Sequence, residues 1–203
     1  MSRFLNEKFQ GLTEYVPGEQ PQDKVYIKLN TNESPFPPSA GVIAAVNADE
    51  VEKLRLYPDP DCKALVNALA TRYDVGAENI FLTNGSDDIL NFCFMGFCDK
   101  GAIFPDITYG FYEVYANLYG VPYETPKLDE TLRVVPSDYY KAGKTVVLAN
   151  PNAQTGVALS LAEIEEIVRQ NPDTPVVIDE AYVDFGAESA IPLTKTSDNL
   201  LGG

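Results

Sequence analysis

The feature that most constrains the fold is a series of short apolar segments, each followed by a stretch with helical character. Four of them are "NIFLT" (79–83), "AIFP" (102–105), "TVVLA" (145–149) and "PVVID" (175–179). Their hydrophobicity is continuous rather than alternating, which is typical of strands covered on both faces in a parallel sheet. The intervening stretches predict helices, one of them over residues 160–170, where Ser160 and Glu163 have the spacing of a capping box. The pattern therefore predicts an α/β fold with a mostly parallel sheet.

Length and composition indicate an ordinary globular protein. The 203 residues are enough to bury a core, and 45% hydrophobic with 22% charged residues is usual for such proteins. The sequence contains no run of eighteen apolar residues, so no transmembrane helix and no membrane association are expected. The segment "MSRFLNEKFQ" lacks the apolar stretch of a signal peptide, so we expect a cytoplasmic location.

Charge and residue types exclude several classes of site. A formal net charge of −15 argues against a nucleic-acid partner, because phosphate backbones need basic surfaces. The chain has no histidine, and its cysteines, Cys62, Cys93 and Cys98, form no CxxC pair, so no Cys/His metal site is expected. We expect reduced, mostly buried thiols. Proton transfer would have to use lysine, tyrosine, a carboxylate or a bound cofactor.

The candidate functional residues follow the predicted strands. In open α/β sheets the ligand binds beyond the carboxyl ends of the strands. The residues delivered there are polar, small and aromatic: Thr83–Asp87, Pro105–Tyr109, Asn150–Asn152 and Asp179–Tyr182. We therefore expect them to converge on one edge of the sheet.

Each of these motifs has two interpretations. Gly85, Ser86 and Asp87 lie at a strand-to-helix corner, where they predict either a phosphate cradle or an ordinary helix N-cap. Tyr109 is placed either to stack on a flat ring or to pack in the core. Asp179 ends a buried strand, so its carboxylate needs a cationic or hydrogen-bonded partner unless it caps the following turn.

Six motifs in this order carry a family resemblance. They are "LNTNESP", "YPDPD", "TNGSDD", "PDITYGFY", "NPNAQTG" and "VVIDEAY", spread over residues 29–182. Together they resemble the N-terminal part of fold-type-I aminotransferases that depend on pyridoxal 5′-phosphate, specifically the histidinol-phosphate aminotransferase family. The resemblance implies an arm or small-domain segment at 1–35 and the N-terminal part of the cofactor-binding large domain at 36–203.

The resemblance assigns cofactor-binding roles to residues at the strand ends. Gly85, Ser86 and Asp87 would hold the cofactor phosphate at a helix N-terminus. Tyr109 would stack on the pyridine ring, and Asp179 would pair with the protonated ring nitrogen, which keeps the ring an electron sink.

The resemblance also implies residues that complete the site. Tyr182 would hydrogen-bond the phenolic oxygen of the ring. Tyr57, in the exposed "YPDPD" turn, would reach the phosphate in the neighbouring subunit, which implies a homodimer with shared active sites. Tyr15 and Asn32 would help to close the substrate pocket.

The chain departs from the family pattern at two places. Ala153 stands where relatives have an asparagine that contacts the cofactor, so recognition of the ring oxygen would rest mainly on Tyr182, with Asn152 as a possible substitute. The lysine that relatives link covalently to the cofactor lies about thirty residues beyond the aspartate, and only 24 residues follow Asp179 here. Lys195 comes too early and is expected to be a solvated lysine. We therefore expect a truncated chain with no catalytic residue of its own.

The function implied by the resemblance is transfer of an amino group between glutamate/2-oxoglutarate and histidinol phosphate, in histidine biosynthesis. A pyridoxal-phosphate decarboxylase acting on threonine phosphate shares these motifs and is the enzymatic alternative. A third hypothesis is a non-catalytic fragment. A generic nucleotide-binding domain is disfavoured because the chain lacks a G-x-G-x-x-G turn.

Overall fold

The fold comes from a computed structural model that describes residues 26–46 and 48–203, together with residues 9, 11, 18, 19, 21, 23 and 24. The chain divides into two compact units, one within residues 13–63 and the other containing residues 64–203. The domain boundary predicted at residue 35 stays a prediction.

The unit within residues 13–63 contains two short helices, α1 (Ala40–Ala45) and α2 (Ala48–Lys53). Helix α1 begins after Ser39, whose hydroxyl accepts a hydrogen bond from the backbone N–H of Val42 at 3.4 Å, which is the usual side-chain N-cap. None of the α1 residues is buried.

The larger unit is built on a five-stranded sheet in which every neighbouring pair is parallel. The strands are β1 (Ala102–Ile103), β2 (Tyr123–Glu124), β3 (Thr145–Ala149), β4 (Val176–Asp179) and β5 (Leu200–Gly202), in the order β2-β1-β3-β4-β5. In the register of the two central strands, Val146 lies opposite Val176 and Ala149 lies opposite Asp179. The predicted α/β fold with a parallel sheet is confirmed.

Helices and short 3₁₀ turns precede the first strand and connect the later ones. The helices are α3 (Lys63–Tyr73), α4 (Ser86–Phe97), α5 (Phe111–Tyr119) and α6 (Leu161–Gln170); the 3₁₀ turns are Ala77–Asn79, Pro136–Tyr139, Val183–Phe185 and Ile191–Lys195. Helix α6 begins with the predicted capping box between Ser160 and Glu163. None of the helices among the described residues is long and apolar enough to cross a membrane.

The two faces of the sheet have separate cores, which explains the continuous hydrophobicity of the strands. In β3, Val146 packs in a core that includes α6, whereas Val147 packs in a core that includes α4 and α5. In β4, Val176 and Val177 divide in the same way. Successive side chains of a strand point to opposite faces, so both sets must be apolar when both faces are covered.

The cysteines agree with the expectation of mostly buried free thiols. Cys93 and Cys98 are buried and Cys62 is exposed, all of them unpaired with another cysteine. Burial raises the pKa of Cys93 and Cys98 to about 11, so both thiols are protonated at neutral pH.

The strand predicted at residues 79–83 is wrong. Residues 77–79 form a 3₁₀ turn, residues 80–83 have no strand partner among the described residues, and the side chain of Phe81 is 70% exposed. An apolar run is not sufficient for a strand, because the backbone N–H and C=O groups also need a neighbouring strand to pair with.

Candidate functional site

A cavity of about 150 Å³ lies beyond the carboxyl end of β4. The residues around it are Asn84, Gly85, Ser86, Asp87, Tyr109, Ala153, Asp179, Ala181 and Tyr182. Six of the residues singled out in the sequence therefore line one cavity, although they come from segments up to 97 positions apart, as the difference between residues 85 and 182 gives.

One wall of the cavity is the beginning of α4. Gly85 precedes the helix with a φ of 85° and a ψ of 174°, a backbone conformation that is essentially restricted to glycine. Ser86 is the first helical residue and not the cap, and no side chain caps the helix N-terminus. The side-chain N-cap interpretation of this motif is wrong. The helix presents its positive end to the cavity, which suits an anion.

Tyr109 is held in place by contacts to Asp87 and Phe111. Its hydroxyl donates a hydrogen bond to the Asp87 carboxylate at 2.8 Å, and its ring stacks on Phe111 with centroids 5.5 Å apart. Asp87 is held a second time because Tyr115 donates its hydroxyl to the Asp87 backbone carbonyl at 3.0 Å. The aromatic ring and the helix N-terminus therefore keep a defined spacing.

The cavity lining also includes Asp179, which is only 6% exposed. One carboxylate oxygen accepts a hydrogen bond from the Tyr112 hydroxyl at 2.8 Å, and the other accepts one from the backbone N–H of Ala181 at 3.2 Å. No ion pair formed by the described residues includes Asp179. Burial raises the pKa of the Asp179 carboxyl, and these two hydrogen bonds oppose that effect, while the negative charge of Asp87 adds to it.

The neighbouring acid, Glu180, has a different environment. It is 5% exposed, and its carboxylate accepts hydrogen bonds from the Ala190 backbone N–H at 2.5 Å and the Ser189 hydroxyl at 2.7 Å. Burial raises its pKa, and these hydrogen bonds oppose the increase. Glu180 is not among the cavity residues, so its carboxylate secures the 189–190 loop, whereas Asp179 serves the cavity.

The side chain of Asn152, in the loop after β3, is occupied by hydrogen bonds within the protein. Its side-chain amide donates to the Ile107 carbonyl at 2.8 Å, and its side-chain oxygen accepts from the backbone N–H groups of Gln154 and Thr155. Asn152 is buried and does not line the cavity, whereas Ala153 does. Asn152 therefore stabilises the loop and does not replace the missing asparagine.

The remaining predicted site residues lie elsewhere in the chain. Tyr57 and Asn32 belong to the unit within residues 13–63, and Tyr57 is fully exposed. Tyr15 lies outside the described residues. Lys195 forms an ion pair with Asp74 at 2.5 Å and is exposed, as expected for a solvated lysine. The roles of Tyr57, Tyr15 and Asn32 stay predictions.

Sequence reasoning missed Tyr112, which is fully buried and contacts Asp179 directly. The sequence does contain a pattern that indicates a role for Tyr112. Tyr112 follows Tyr109 by three positions and lies in the first turn of α5, where its backbone N–H donates to the Tyr109 carbonyl at 3.2 Å. An aromatic residue one turn after a cavity-lining tyrosine is therefore placed to reach the next strand end.

Comparison with protein-family models gives one match, to "Aminotransferase class I and II", over residues 24–201. Among curated proteins, the chain is 52% identical over 204 residues to a histidinol-phosphate aminotransferase from Marinomonas sp., in an alignment that covers 99% of this chain and 58% of that relative. The chain thus spans less than two thirds of the length of the curated relatives it matches.

Solved structures give the same fold. A histidinol-phosphate aminotransferase from Sinorhizobium meliloti, solved in complex with pyridoxal-5′-phosphate, matches with a TM-score of 0.76 and 23% identity, over 84% of this chain and 49% of that one. An L-threonine-O-3-phosphate decarboxylase from Porphyromonas gingivalis matches with a TM-score of 0.65 and 26% identity, over 75% of this chain and 49% of that one.

Proposed function

The chain belongs to the class I and II aminotransferase family, and we propose that its protein transfers an amino group between histidinol phosphate and 2-oxoglutarate. The observation that carries the proposal is the presence of two features in one cavity. Its lining includes a helix N-terminus without a side-chain cap and a buried carboxylate that has no cationic partner among the described residues.

The cofactor is pyridoxal 5′-phosphate, as the family membership implies. The residues around the cavity fit this group. The N-terminus of α4 suits its phosphate, the Tyr109 ring suits its flat pyridine, and the buried Asp179 carboxylate suits its protonated ring nitrogen. When bound, the cofactor withdraws electrons from the α-carbon of the amino substrate.

The residues of this chain would bind and orient the cofactor. Gly85, Ser86 and Asp87 would hold the phosphate through the helix N-terminus, and Tyr109 would cover one face of the ring. Asp179 would keep the proton on the ring nitrogen, because a buried carboxylate strongly favours a positive partner. Tyr182, at the opposite end of the "DEAY" turn, would donate its hydroxyl to the phenolic oxygen of the ring.

The substrate assignment rests on the curated relatives. The Marinomonas protein is named a histidinol-phosphate aminotransferase and is 52% identical to this chain. The Porphyromonas structure favours threonine-phosphate decarboxylation as a second candidate. The two reactions differ in their products, since only the decarboxylase releases carbon dioxide.

The quaternary arrangement is part of the proposal. Tyr57 would contact the cofactor phosphate of a neighbouring subunit, and Tyr15 and Asn32 would close the substrate pocket. Full exposure of Tyr57 agrees with a side chain available to a second subunit. A homodimer with shared active sites and a cytoplasmic location complete this assignment.

The test uses the protein at its natural full length. It is incubated with pyridoxal phosphate, reduced with borohydride and weighed intact, and it is then assayed with histidinol phosphate and 2-oxoglutarate. One trapped cofactor per chain, formation of glutamate and no carbon dioxide are expected. Release of carbon dioxide from threonine phosphate without amino transfer would instead establish the decarboxylase, and absence of any trapped cofactor would contradict both reactions.

A further inference from the structure

We propose that Tyr112 is a positioning residue, whose buried hydroxyl holds the Asp179 carboxylate in place at the cavity wall. The proposal rests on the proposed function, because it assigns Asp179 to the ring nitrogen of the cofactor. Tyr112 does not line the cavity and would act entirely through Asp179.

The position of the Tyr112 hydroxyl is fixed by packing. The residue lies in the first turn of α5 and is fully buried. Its ring contacts Phe94, Phe104 and Tyr109, with ring centroids 6.2, 5.8 and 5.8 Å away. Because aromatic rings surround the phenol, the hydroxyl cannot turn away from Asp179 without repacking the core on that face of the sheet.

The hydroxyl compensates for the absence of a cation. The titratable groups that act on Asp179 are Asp87 and Cys93 from α4, Glu180 from its own turn, and Tyr112 from α5. None of them is positively charged at neutral pH. Burial and the charge of Asp179 hold the pKa of Tyr112 well above its ordinary value, so the phenol stays a neutral donor throughout the working range.

Two fixed hydrogen bonds leave the carboxylate available to a further partner. Tyr112 occupies one site on one oxygen, and the Ala181 N–H occupies one site on the other. A carboxylate has about four acceptor sites, so about two remain for a ring N–H. The two donors thus set the plane of the carboxylate before any cofactor arrives.

The first experiment measures cofactor affinity against pH in the full-length protein. Tyr112→Phe keeps the ring and removes the hydroxyl, so pyridoxal phosphate should bind about tenfold more weakly at pH 7, the effect of one hydrogen bond to a charged group. The acid limb of the binding profile should move to higher pH, because the ionised form of Asp179 has lost a donor. The matched control is Tyr119→Phe, which removes a hydroxyl from the same helix, where it donates to Asn91 at 2.7 Å. Its profile should equal that of the wild type.

A double variant separates positioning from packing. In an Asp179→Asn background residue 179 has no carboxylate that could titrate. Tyr112→Phe should therefore leave the acid limb of the binding profile where Asp179→Asn alone has it. If Tyr112→Phe moves the acid limb equally in both backgrounds, the hydroxyl acts on another group and the proposal is wrong.

A measurement without cofactor distinguishes failure of this inference from failure of the proposed function. The Asp179 carboxyl is titrated by ¹³C NMR in the cofactor-free protein, and its apparent pKa should be higher in Tyr112→Phe than in the wild type. An unchanged Asp179 titration would overturn the role of Tyr112, whatever the protein binds. A raised pKa in a protein that binds no pyridoxal phosphate would contradict the proposed function while supporting the positioning role.

Discussion

At the scale of single residues, the site depends on which polar groups are already occupied within the protein. The Asn152 side chain is used by its own loop, whereas Ala153 faces the cavity without a polar group of its own. The Asp179 carboxylate has two donors and, within the described part of the chain, no cation beside it. Adjacent residues at this edge of the sheet therefore differ in how many of their polar groups are available to a ligand.

Replacing Ala153 by asparagine should tighten the binding of pyridoxal phosphate. An amide at this position adds a donor at the cavity wall, and one net hydrogen bond corresponds to about a three- to tenfold lower Kd. The quenching of protein fluorescence by the cofactor measures the change. Gln154→Asn is the control, because Gln154 is exposed in the same loop and does not line the cavity. Equal effects of the two substitutions would contradict the assignment of Ala153.

At the scale of secondary structure elements, the N-termini of α4 and α6 differ in whether a side chain caps them. Helix α6 is capped by Ser160 and Glu163 and carries no cavity residue. Helix α4 begins at Ser86, after Gly85, without a side-chain cap, and its first residues line the cavity. The helix that lines the cavity, α4, therefore lacks the stabilising side-chain cap that α6 has.

Gly85→Ala should lower the free energy of unfolding by about 1–3 kcal/mol. A Cβ at this position has open space around it, so the cost comes from the backbone conformation with φ of 85°. The matched control is Gly96→Ala within α4, where a Cβ also meets no atom within 4 Å. That change should stabilise the protein by about 0.5–1 kcal/mol, because alanine is the better helix former. Urea denaturation measures both, and changes of the same sign would argue against this explanation.

Glu163→Gln should destabilise the protein only above acidic pH. The Arg133 guanidinium, 2.5 Å away, and hydrogen bonds from Ser160 lower the pKa of Glu163 from 4.5 to about 2. Because the folded-state pKa is lowered, the stabilisation is fully present above pH 4.5 and is lost as the pH falls toward 2. The expected loss at pH 7 is about 1 kcal/mol, a magnitude typical of caps and partly exposed ion pairs.

Melting temperatures of wild type and Glu163→Gln, measured between pH 2 and 8, check this sign. The two curves should converge as the pH falls through the window from 4.5 to 2. Glu165→Gln, on the same helix, changes the charge by the same amount outside the capping box and is the control. A constant difference across the whole pH range would contradict the assignment to the Glu163 carboxylate.

At the scale of the whole molecule, the buried acids near the site lower the free energy of unfolding of the cofactor-free protein. Asp179 and Glu180 are both buried with raised pKa values, so their charged forms are disfavoured in the folded state. The stability associated with such groups is full below their unfolded pKa and is lost as the pH rises through the folded one. Each carboxylate has two internal donors, from Ala190 and Ser189 for Glu180 and from Tyr112 and Ala181 for Asp179, but only Asp179 lines the cavity, where a ligand can add to them.

Asp179→Asn should therefore raise the melting temperature of the cofactor-free protein at neutral pH while weakening cofactor binding. The amide avoids burial of a charge, and it cannot attract a positive ring nitrogen. Thermal unfolding from pH 4 to 8 should show a difference that grows as the pH rises. The stabilisation by excess pyridoxal phosphate, about 2.7 kcal/mol at one hundred times Kd for a single site, should be smaller in the variant at the same concentration. If the variant is less stable than the wild type at every pH, burial of the Asp179 charge does not destabilise the folded protein and this explanation is wrong.

The sequence by itself determined the parallel sheet and six residues that line the cavity. Apolar runs covered on both faces predict the central strands, and the residues after parallel strands must meet at one edge, which brings Tyr109 and Asp179 together. The tertiary structure alone decided which groups inside that edge bind one another. Tyr112 and Asp179 are 67 positions apart, and their hydrogen bond depends on how α5 packs on the sheet. Residues 80–83 likewise have the apolar pattern of a strand but pair with no strand in the part of the chain that the structure describes, because hydrogen-bond partners at long sequence separation are set by packing and not by local pattern.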